Sequence, residues 1–262
     1  MTFEQGALVG VAAFVAAAIN SAAGGGSFIS FPTILGIGLP PISANATNNT
    51  AMWVGSFSSA GALRSEIDIG RRALFKMLAI SAAGSALGAL LLLRTTNAQF
   101  TQLIPWLLLA ATTLFIGGPS LTRRLRGRRE TVHLETPAGY LAQFAISVYG
   151  GFFGAAIGIL MLALFGLLGL NDLRKANAFK VLLSTVINGV AVVPFVFARV
   201  IAWEVALVAS LCALAGGYLG ADAVKRLPSI VVRRFVVTVA CSMTLYFFWK
   251  TYLAAGAGGA HA

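Results

Sequence analysis

Apolar residues fill this chain in long runs, and short clusters of charged, glycine or proline residues separate them. Several runs approach membrane-spanning length, among them 73–93, 100–118, 176–197, 203–223 and 235–249. A helix needs about 20 such residues to cross the hydrocarbon core of a bilayer. One such run could belong to a buried helix of a soluble protein. This many runs predict an all-α, polytopic membrane protein with the lipid bilayer as its surroundings.

Composition agrees with that prediction, since 58% of the 262 residues are hydrophobic and only 10% are charged. Soluble domains carry roughly 25% charged residues. The net charge of +11 does not indicate a nucleic-acid partner, because the basic residues stand at the ends of apolar runs, where they orient membrane proteins. Cys212 and Cys241 lie inside apolar runs, form no CxxC pair and are predicted to be packing residues. The opening residues lack a basic n-region, so we expect a first span there instead of a removed signal peptide.

The two halves of the chain resemble each other at a constant offset of 132 residues. This offset aligns SANA at 43–46 with KANA at 175–178, and the glycine-containing stretch 83–89 with 215–221. Matches that cluster at one offset indicate an internal repeat. The predicted organisation is a first transmembrane repeat, a basic cytoplasmic linker, a second transmembrane repeat and a flexible tail, at 1–118, 119–137, 138–252 and 253–262.

Each half is predicted to hold five helical segments, at 6–20, 27–38, 43–63, 73–93 and 100–118, and then at 138–153, 157–170, 174–197, 203–223 and 230–250. An odd number of segments turns the second half over in the membrane, which gives an inverted repeat. If the basic run 123–129 is cytoplasmic, most of the 19 basic residues fall at cytoplasmic ends, and only Arg94, Arg199 and Lys250 fall outside. We therefore expect a cell inner-membrane protein with both termini extracytoplasmic.

Glycines break the first two segments of each half. Gly24, Gly25 and Gly26 precede the second segment, which is too short to span a bilayer alone, and Gly158 opens its counterpart. A helix broken at membrane depth is tolerated only where its backbone groups face protein or a watery cavity, and transporters use such breaks as binding sites. Ser27 would begin a half-helix whose N–H groups and positive dipole end suit an anion. The alternative is that the glycines only permit close helix packing.

Polar side chains open the third segment of each half. Asn45 and Asn48 stand in the first half, and their equivalents in the second are Asn177 and Lys180. Amides at membrane depth bind other helices or a ligand, and helix capping is a further alternative for Asn45 and Asn177. Lys180 could offer its charge to an anion or extend to the cytoplasmic interface. With the four glycines and Ser27, these residues are the candidate substrate-binding residues.

No pattern indicates an enzyme. His133 lies in the basic linker and His261 in the tail, and neither has paired carboxylates or metal-ligand spacing around it. The sequence also lacks a Walker A motif for ATP hydrolysis. We therefore predict no cofactor and no metal, which leaves secondary transport, passive flux or a partner-driven mechanism. The sequence leaves open whether the chain forms a homo-oligomer.

These motifs resemble the TauE/SafE sulfite-exporter family over about residues 6–250. The resemblance is carried by AGGGS at 23–27 and ANAT at 44–47, and in the second half by GGFFG at 150–154 and KANAFK at 175–180. It implies a transporter, often an exporter, of small sulfur-containing anions or organosulfonates such as sulfite, sulfoacetate or thiosulfate. The chain departs from the pattern where its second half lacks the full triple glycine and has phenylalanine in place of the threonine. Alternatives are a permease for another small carboxylate metabolite and a non-transporting membrane subunit in sulfur metabolism.

The predicted orientation can be tested by labelling Gly127→Cys in a chain that lacks Cys212 and Cys241. Because the basic run should stay in the cytoplasm, an impermeant maleimide should label this cysteine only after the membrane is opened. Labelling from outside intact cells would show that the orientation is reversed.

Overall fold

The computed structural model describes residues 1–22, 24–126, 134–170, 172–226 and 229–254. Within these ranges the chain is helical and contains no strand, which confirms the predicted all-α class. The helices are α1 (Phe3–Ala22), α2 (Ser27–Gly36), α3 (Pro41–Ala62), α4 (Arg71–Leu93), α5 (Asn97–Arg126), α6 (Pro137–Phe152), α7 (Ile157–Leu167), α8 (Leu173–Phe197), α9 (Trp203–Arg226) and α10 (Ser229–Phe248). A 3₁₀ turn at Arg64–Glu66 and a π-helical turn at Trp249–Ala254 complete the described elements.

The predicted segments coincide with these helices to within a few residues, except that α5 continues past its predicted end. It runs through Arg126 into the predicted linker, while the rest of the basic run and His133 lie outside the described residues. Most of the predicted tail, including His261, also lies outside them.

The described helices differ in length, and two of them are too short to cross a membrane. Six are long and apolar enough to cross a membrane, with spans at Phe3–Ser21, Arg71–Leu93, Asn97–Gly117, Leu173–Phe197, Trp203–Gly220 and Arg234–Leu253. By contrast, α2 has 10 residues and α7 has 11. At 1.5 Å per residue these two helices are about 15 Å long and reach only about half-way across a bilayer core.

Small residues let the long helices approach each other closely. A side chain at Gly88 of α4 would collide with the carbonyl of Val148 in α6, and one at Gly216 of α9 would collide with the carbonyl of Phe14 in α1. Gly217 stands in the same way against the backbone of α3. Because apolar burial gives helices little reason to associate in lipid, such close backbone packing is a main source of cohesion.

The helices pair in a pattern that the 132-residue offset exchanges. Helix α1 packs along α9 as α6 packs along α4, and α3 packs on α9 as α8 packs on α4. Helix α5 contacts α7, and α10 contacts α2. Where α5 meets α10, Thr112 and Thr244 share a hydrogen bond of 3.0 Å between residues 132 apart. Equivalent residues meet in this way near a pseudo-twofold axis, so the packing supports the internal repeat. The inverted orientation of the two halves in the membrane stays a prediction.

Ion pairs tie together one end of the bundle. Lys175 at the start of α8 binds Asp68 in the loop before α4. Glu135, just before α6, lies 3.5 Å from Lys76 and 3.9 Å from Arg72. The hydrogen bond from Lys175 and its charge hold the pKa of the Asp68 carboxyl below its usual value. This pair therefore stays ionised at neutral pH, at the end of the bundle that is predicted to face the cytoplasm.

The opposite end is joined by contacts between helix starts. The Met1 ammonium lies 3.1 Å from Glu204, which connects α1 with α9. The backbone N–H of Ile42 donates to the Asn97 side chain at 3.1 Å, which connects α3 with α5. The starts of α1, α3, α5 and α9 therefore share one end of the bundle. Those of α4, α6 and α8 share the other.

We predict that Gly88→Ala lowers the midpoint of thermal unfolding in detergent, because the new Cβ must displace the Val148 carbonyl of α6. Overpacking of this kind costs about 1–3 kcal/mol. Gly61→Ala is the matched control, since nothing lies within 4 Å of its Cβ position. Alanine favours a helix by about 1 kcal/mol over glycine, so this control should unfold at the same or a higher temperature. Equal midpoints for the two variants would contradict the close packing of α4 on α6.

Candidate functional site

Two turns at the centre of the molecule separate α1 from α2 and α6 from α7. In the first turn Gly24 and Gly25 have φ values of +80° and +89°. In the second, Gly154 and Ala156 have φ values of 82° and 61°. Because a Cβ disfavours this left-handed region, the glycines are what allows the chain to turn here. The sequence prediction of a break at each position agrees with these turns.

The two turns meet each other. A Cβ built on Gly24 would lie 3.4 Å from the Cα of Gly158 and 3.5 Å from the backbone nitrogen of Ile159. A Cβ at these distances would be in ordinary van der Waals contact with the second turn, so it is the positive φ of Gly24 that favours glycine here. The broken helices of the two halves therefore touch at their breaks.

Two asparagines hold the ends of the broken helices, each from the opposite half. The Asn45 side chain donates to the Phe152 carbonyl at the end of α6 at 3.0 Å. The Asn177 side chain donates to the Ser21 carbonyl at the end of α1 at 2.9 Å. The last carbonyls of a helix have no partner within the helix, and at membrane depth water does not supply one. Of the roles considered for these amides, the structure shows interhelical hydrogen bonds.

Lys180 is buried in the first third of α8, with 1% of its surface exposed. Its Nζ donates to the carbonyl of Asn20 in α1 at 2.9 Å. The side chain therefore does not extend to the membrane interface, and that alternative for Lys180 is wrong. The Asn20 side chain in turn accepts from the backbone N–H of Gly26 at 2.7 Å.

A small polar cavity of about 30 Å³ lies beside these groups. That volume holds roughly two or three water molecules. Nearly all of its lining residues are buried, so the cavity lies inside the bundle and is enclosed on most sides. Among the predicted site residues, those on its wall are Gly24, Gly25, Ser27, Asn48, Gly158 and Lys180.

Three predicted site residues do not line this cavity, namely Gly26, Asn45 and Asn177. A side chain on Gly26 would collide with the carbonyl of Ala16 in α1, so this glycine fits the packing alternative. The two asparagines act on the ends of α6 and α1, as described above. Gly25 combines both roles, because it lines the cavity and a Cβ there would lie 2.6 Å from the ring of Phe115.

Several lining residues were missed in the sequence, notably Ser56 and Ser59 on α3 and Ser184 and Asn188 on α8. All four lie further along their helices than the predicted asparagines and Lys180. Ser56 and Ser59 stand four and seven residues after Met52, and Ser184 and Asn188 stand four and eight residues after Lys180, so they fall on the same face of each helix. A search for polar residues at helical spacing within apolar segments would have found them.

The cavity lining contains one basic side chain and no acidic one in the part of the chain that the structure describes. The amide oxygens of Asn48 and of its neighbour Asn49 are buried without a hydrogen-bond partner there. An amide can present either its oxygen or its two N–H donors as it rotates. Together with the Lys180 ammonium, these groups can bind a small anion.

Helices that break at the centre of an apolar bundle, around a polar cavity enclosed on most sides, are typical of membrane transporters. Known proteins agree with this class, because the family model described as "Sulfite exporter TauE/SafE" matches residues 9–247. The chain therefore belongs to the TauE/SafE family of membrane transporters, and the resemblance seen in its motifs is confirmed. This membership agrees with the expectation that the protein is not an enzyme.

Three relatives of the chain carry names that describe them as probable membrane transporters. A probable membrane transporter protein of Haemophilus influenzae is 32% identical over 88% of this chain and 89% of its own length. The probable membrane transporter proteins YfcA of Escherichia coli K12 and ORF9 of Sinorhizobium sp. are each 28% identical over 94% of this chain, and over 91% and 93% of their own lengths. No solved structure matches the chain.

We predict that Asn177→Ala lowers the midpoint of thermal unfolding, because it leaves the Ser21 carbonyl without its partner. The loss should be about 0.5–2 kcal/mol, the range for one interhelical hydrogen bond. Gln102→Ala serves as the control, since this amide is exposed on α5 and should change stability by less than about 0.5 kcal/mol. An unchanged midpoint for Asn177→Ala would mean that this hydrogen bond contributes nothing to stability.

Proposed function

We propose that this protein is a secondary transporter of small sulfur-containing anions or organosulfonates, such as sulfite, thiosulfate or sulfoacetate. We further propose that it exports them across the cell inner membrane. The observation that carries the proposal is the cavity between the broken helices, whose wall holds the Lys180 side chain and no carboxylate of the described chain. The family description as a sulfite exporter supports the same substrate class.

The charge at this cavity favours an anion. A buried ammonium is unfavourable unless an opposite charge or several hydrogen bonds compensate it. Lys180 has one hydrogen bond, to a neutral carbonyl, although an ammonium carries three donors. A bound anion would accept the remaining donors and neutralise the charge.

The N-termini of α2 and α7 add to the preference of the cavity for an anion. Ser27 and Ile157 are the first residues of α2 and α7, and both line the cavity. The N-terminus of a helix carries roughly half a positive charge from its aligned peptide dipoles, and its first N–H groups have no partner within the helix. Two such ends therefore converge on the same space, from opposite halves of the chain. This arrangement matches the use of discontinuous helices for anionic groups in other transporters.

Cavity size narrows the substrate class. A volume of about 30 Å³ suits an ion on the scale of sulfite, which has one sulfur and three oxygens. A longer organosulfonate such as sulfoacetate requires the cavity to widen or open to one side. We therefore expect the smallest anions to bind best to this closed form.

Orientation follows from the basic end of the bundle. Arg64, Arg71, Arg72 and Lys175 lie around the end that also holds the loop before α4. Under the positive-inside rule this end faces the cytoplasm, which places the start of α1 on the outer side. The labelling of position 127 described above tests this assignment independently of transport.

We predict that proteoliposomes containing the protein take up labelled sulfite, and that thiosulfate and sulfoacetate compete with it. Malonate differs from sulfoacetate only by a carboxylate in place of the sulfonate, so it should compete less well. Competition by malonate at equal strength would favour the alternative of a carboxylate permease. Absence of uptake with correctly folded protein would favour a non-transporting subunit.

In the same assay, Lys180→Gln should weaken anion binding by about 10- to 100-fold. This follows from the loss of charged hydrogen bonds, which contribute about 1.5–3 kcal/mol. Lys175→Gln is the matched control, because that lysine is on the same helix but pairs with Asp68 at the end of the bundle. Equal binding by both variants would show that Lys180 is not the anion ligand.

A further inference from the structure

We infer that Lys180 carries a proton together with each anion, so that transport is an electroneutral symport of one proton and one monovalent anion. This inference rests on the proposed function, and it names the coupling ion and the residue that binds it. Proton coupling in membrane proteins usually depends on a buried acidic residue. Here the structure points to a buried base instead.

Lys180 faces neutral groups throughout the described wall of the cavity. The cavity is built from α1, α2, α3, α7, α8 and the two central turns. Each contributes only neutral side chains or backbone to the described wall, including Asn20 from α1, Ser27 from α2, Asn48 and Asn49 from α3 and Asn188 from α8 itself. Lys180 is therefore the one titratable group among the described lining residues.

The nearest ion pairs of the described chain cannot serve as a counter-ion. Asp68 pairs with Lys175, which lies five residues before Lys180 at the exposed end of the bundle. Glu135 pairs with Arg72 and Lys76 at that same end. Both carboxylates are already engaged with other cations. Since no acidic side chain of the described residues lies on the cavity wall, an anion that enters the cavity would balance the ammonium of Lys180.

The carrier can therefore close in two forms, one with an anion in the cavity and one without. With an anion bound, the ammonium and the anion neutralise each other, and the closed cavity holds no net charge. Without an anion, a protonated Lys180 would leave an uncompensated charge in a buried site, which costs several kcal/mol. An isolated buried lysine avoids that cost by giving up its proton. The empty carrier should therefore close with Lys180 neutral.

The cycle then moves one proton with each anion. On the side where the anion leaves, the Nζ ammonium releases one proton to water and keeps the electron pair of that N–H bond as a lone pair. The neutral carrier reorients, and on the other side the amine takes up one proton as the next anion binds. No oxidation or reduction occurs, and the net movement is one proton and one anion in the same direction, so export proceeds when the anion gradient from inside to outside outweighs an opposing pH gradient. One cation in the cavity balances a monovalent anion such as hydrogensulfite completely and leaves one negative charge on a divalent anion such as thiosulfate, which should therefore be transported more slowly.

The closing experiment uses methanesulfonate, because this small sulfonate stays a monovalent anion from acid to alkaline pH and cannot carry a proton itself. Proteoliposomes with a trapped pH-sensitive dye are given labelled methanesulfonate outside. We expect internal acidification with a ratio of about one proton per anion taken up, as charge balance at one titratable site requires. An imposed pH gradient, acid outside, should drive accumulation, while a potassium diffusion potential should not change the rate.

Lys180→Arg separates proton carriage from anion binding. A guanidinium keeps its charge in proteins, so the empty variant cannot become neutral. Exchange of labelled for unlabelled anion should persist, whereas net uptake should fall by at least about tenfold, as expected from an uncompensated buried charge. Lys175→Gln should keep the wild-type ratio.

The outcomes separate this inference from the proposed function. Uptake of methanesulfonate by the wild-type protein without proton movement, or uptake that responds to the membrane potential, would overturn the inference and leave the transporter assignment in place. If the arginine variant does not fold, the proton ratio of the wild-type protein still decides the question. Absence of uptake of any sulfur-containing anion would overturn the proposed function itself.

Discussion

The structure depends on one constraint, which is that backbone groups freed by a helix break at membrane depth must find partners inside the protein. Asn45 and Asn177 meet that constraint for the ends of α6 and α1. Because each asparagine comes from the opposite half, the breaks are held only when the two halves are assembled. The position of the breaks in turn places the starts of α2 and α7 on the cavity wall. The site is therefore a consequence of how the breaks are satisfied.

Much of this architecture could be predicted from the sequence, since apolar runs of fixed length report directly on helices that cross lipid. The first turn was predictable as well, because three consecutive glycines are poor helix formers, and GGFFG at 150–154 marked the second. The starts of α2 and α7 were placed correctly for the same reason. Helix α5 was placed less well, because its polar continuation through Arg126 carries no apolar signal.

The candidate site was predicted only in part, and the reason is geometric. The sequence does not distinguish a glycine that lines a cavity, as Gly24 does, from one that packs against a carbonyl, as Gly26 does. The sequence also does not show where an amide side chain points. The role of Asn45, which binds the end of α6, could therefore not be distinguished from that of Asn48, which lines the cavity. Lys180 was recognised as a candidate, but its burial depends on α1 lying over it, and that contact joins residues 160 apart.

Both halves of the chain line the cavity, and this determines how the site can hold a single charge. Positions 48 and 180 are equivalent in the repeat, yet one is an asparagine and the other a lysine. A pair of identical subunits would have to place two lysines in the cavity or none. Joining the halves in one polypeptide removes that restriction, because each copy can then mutate on its own. One continuous polypeptide therefore permits this cavity to hold one lysine opposite an amide.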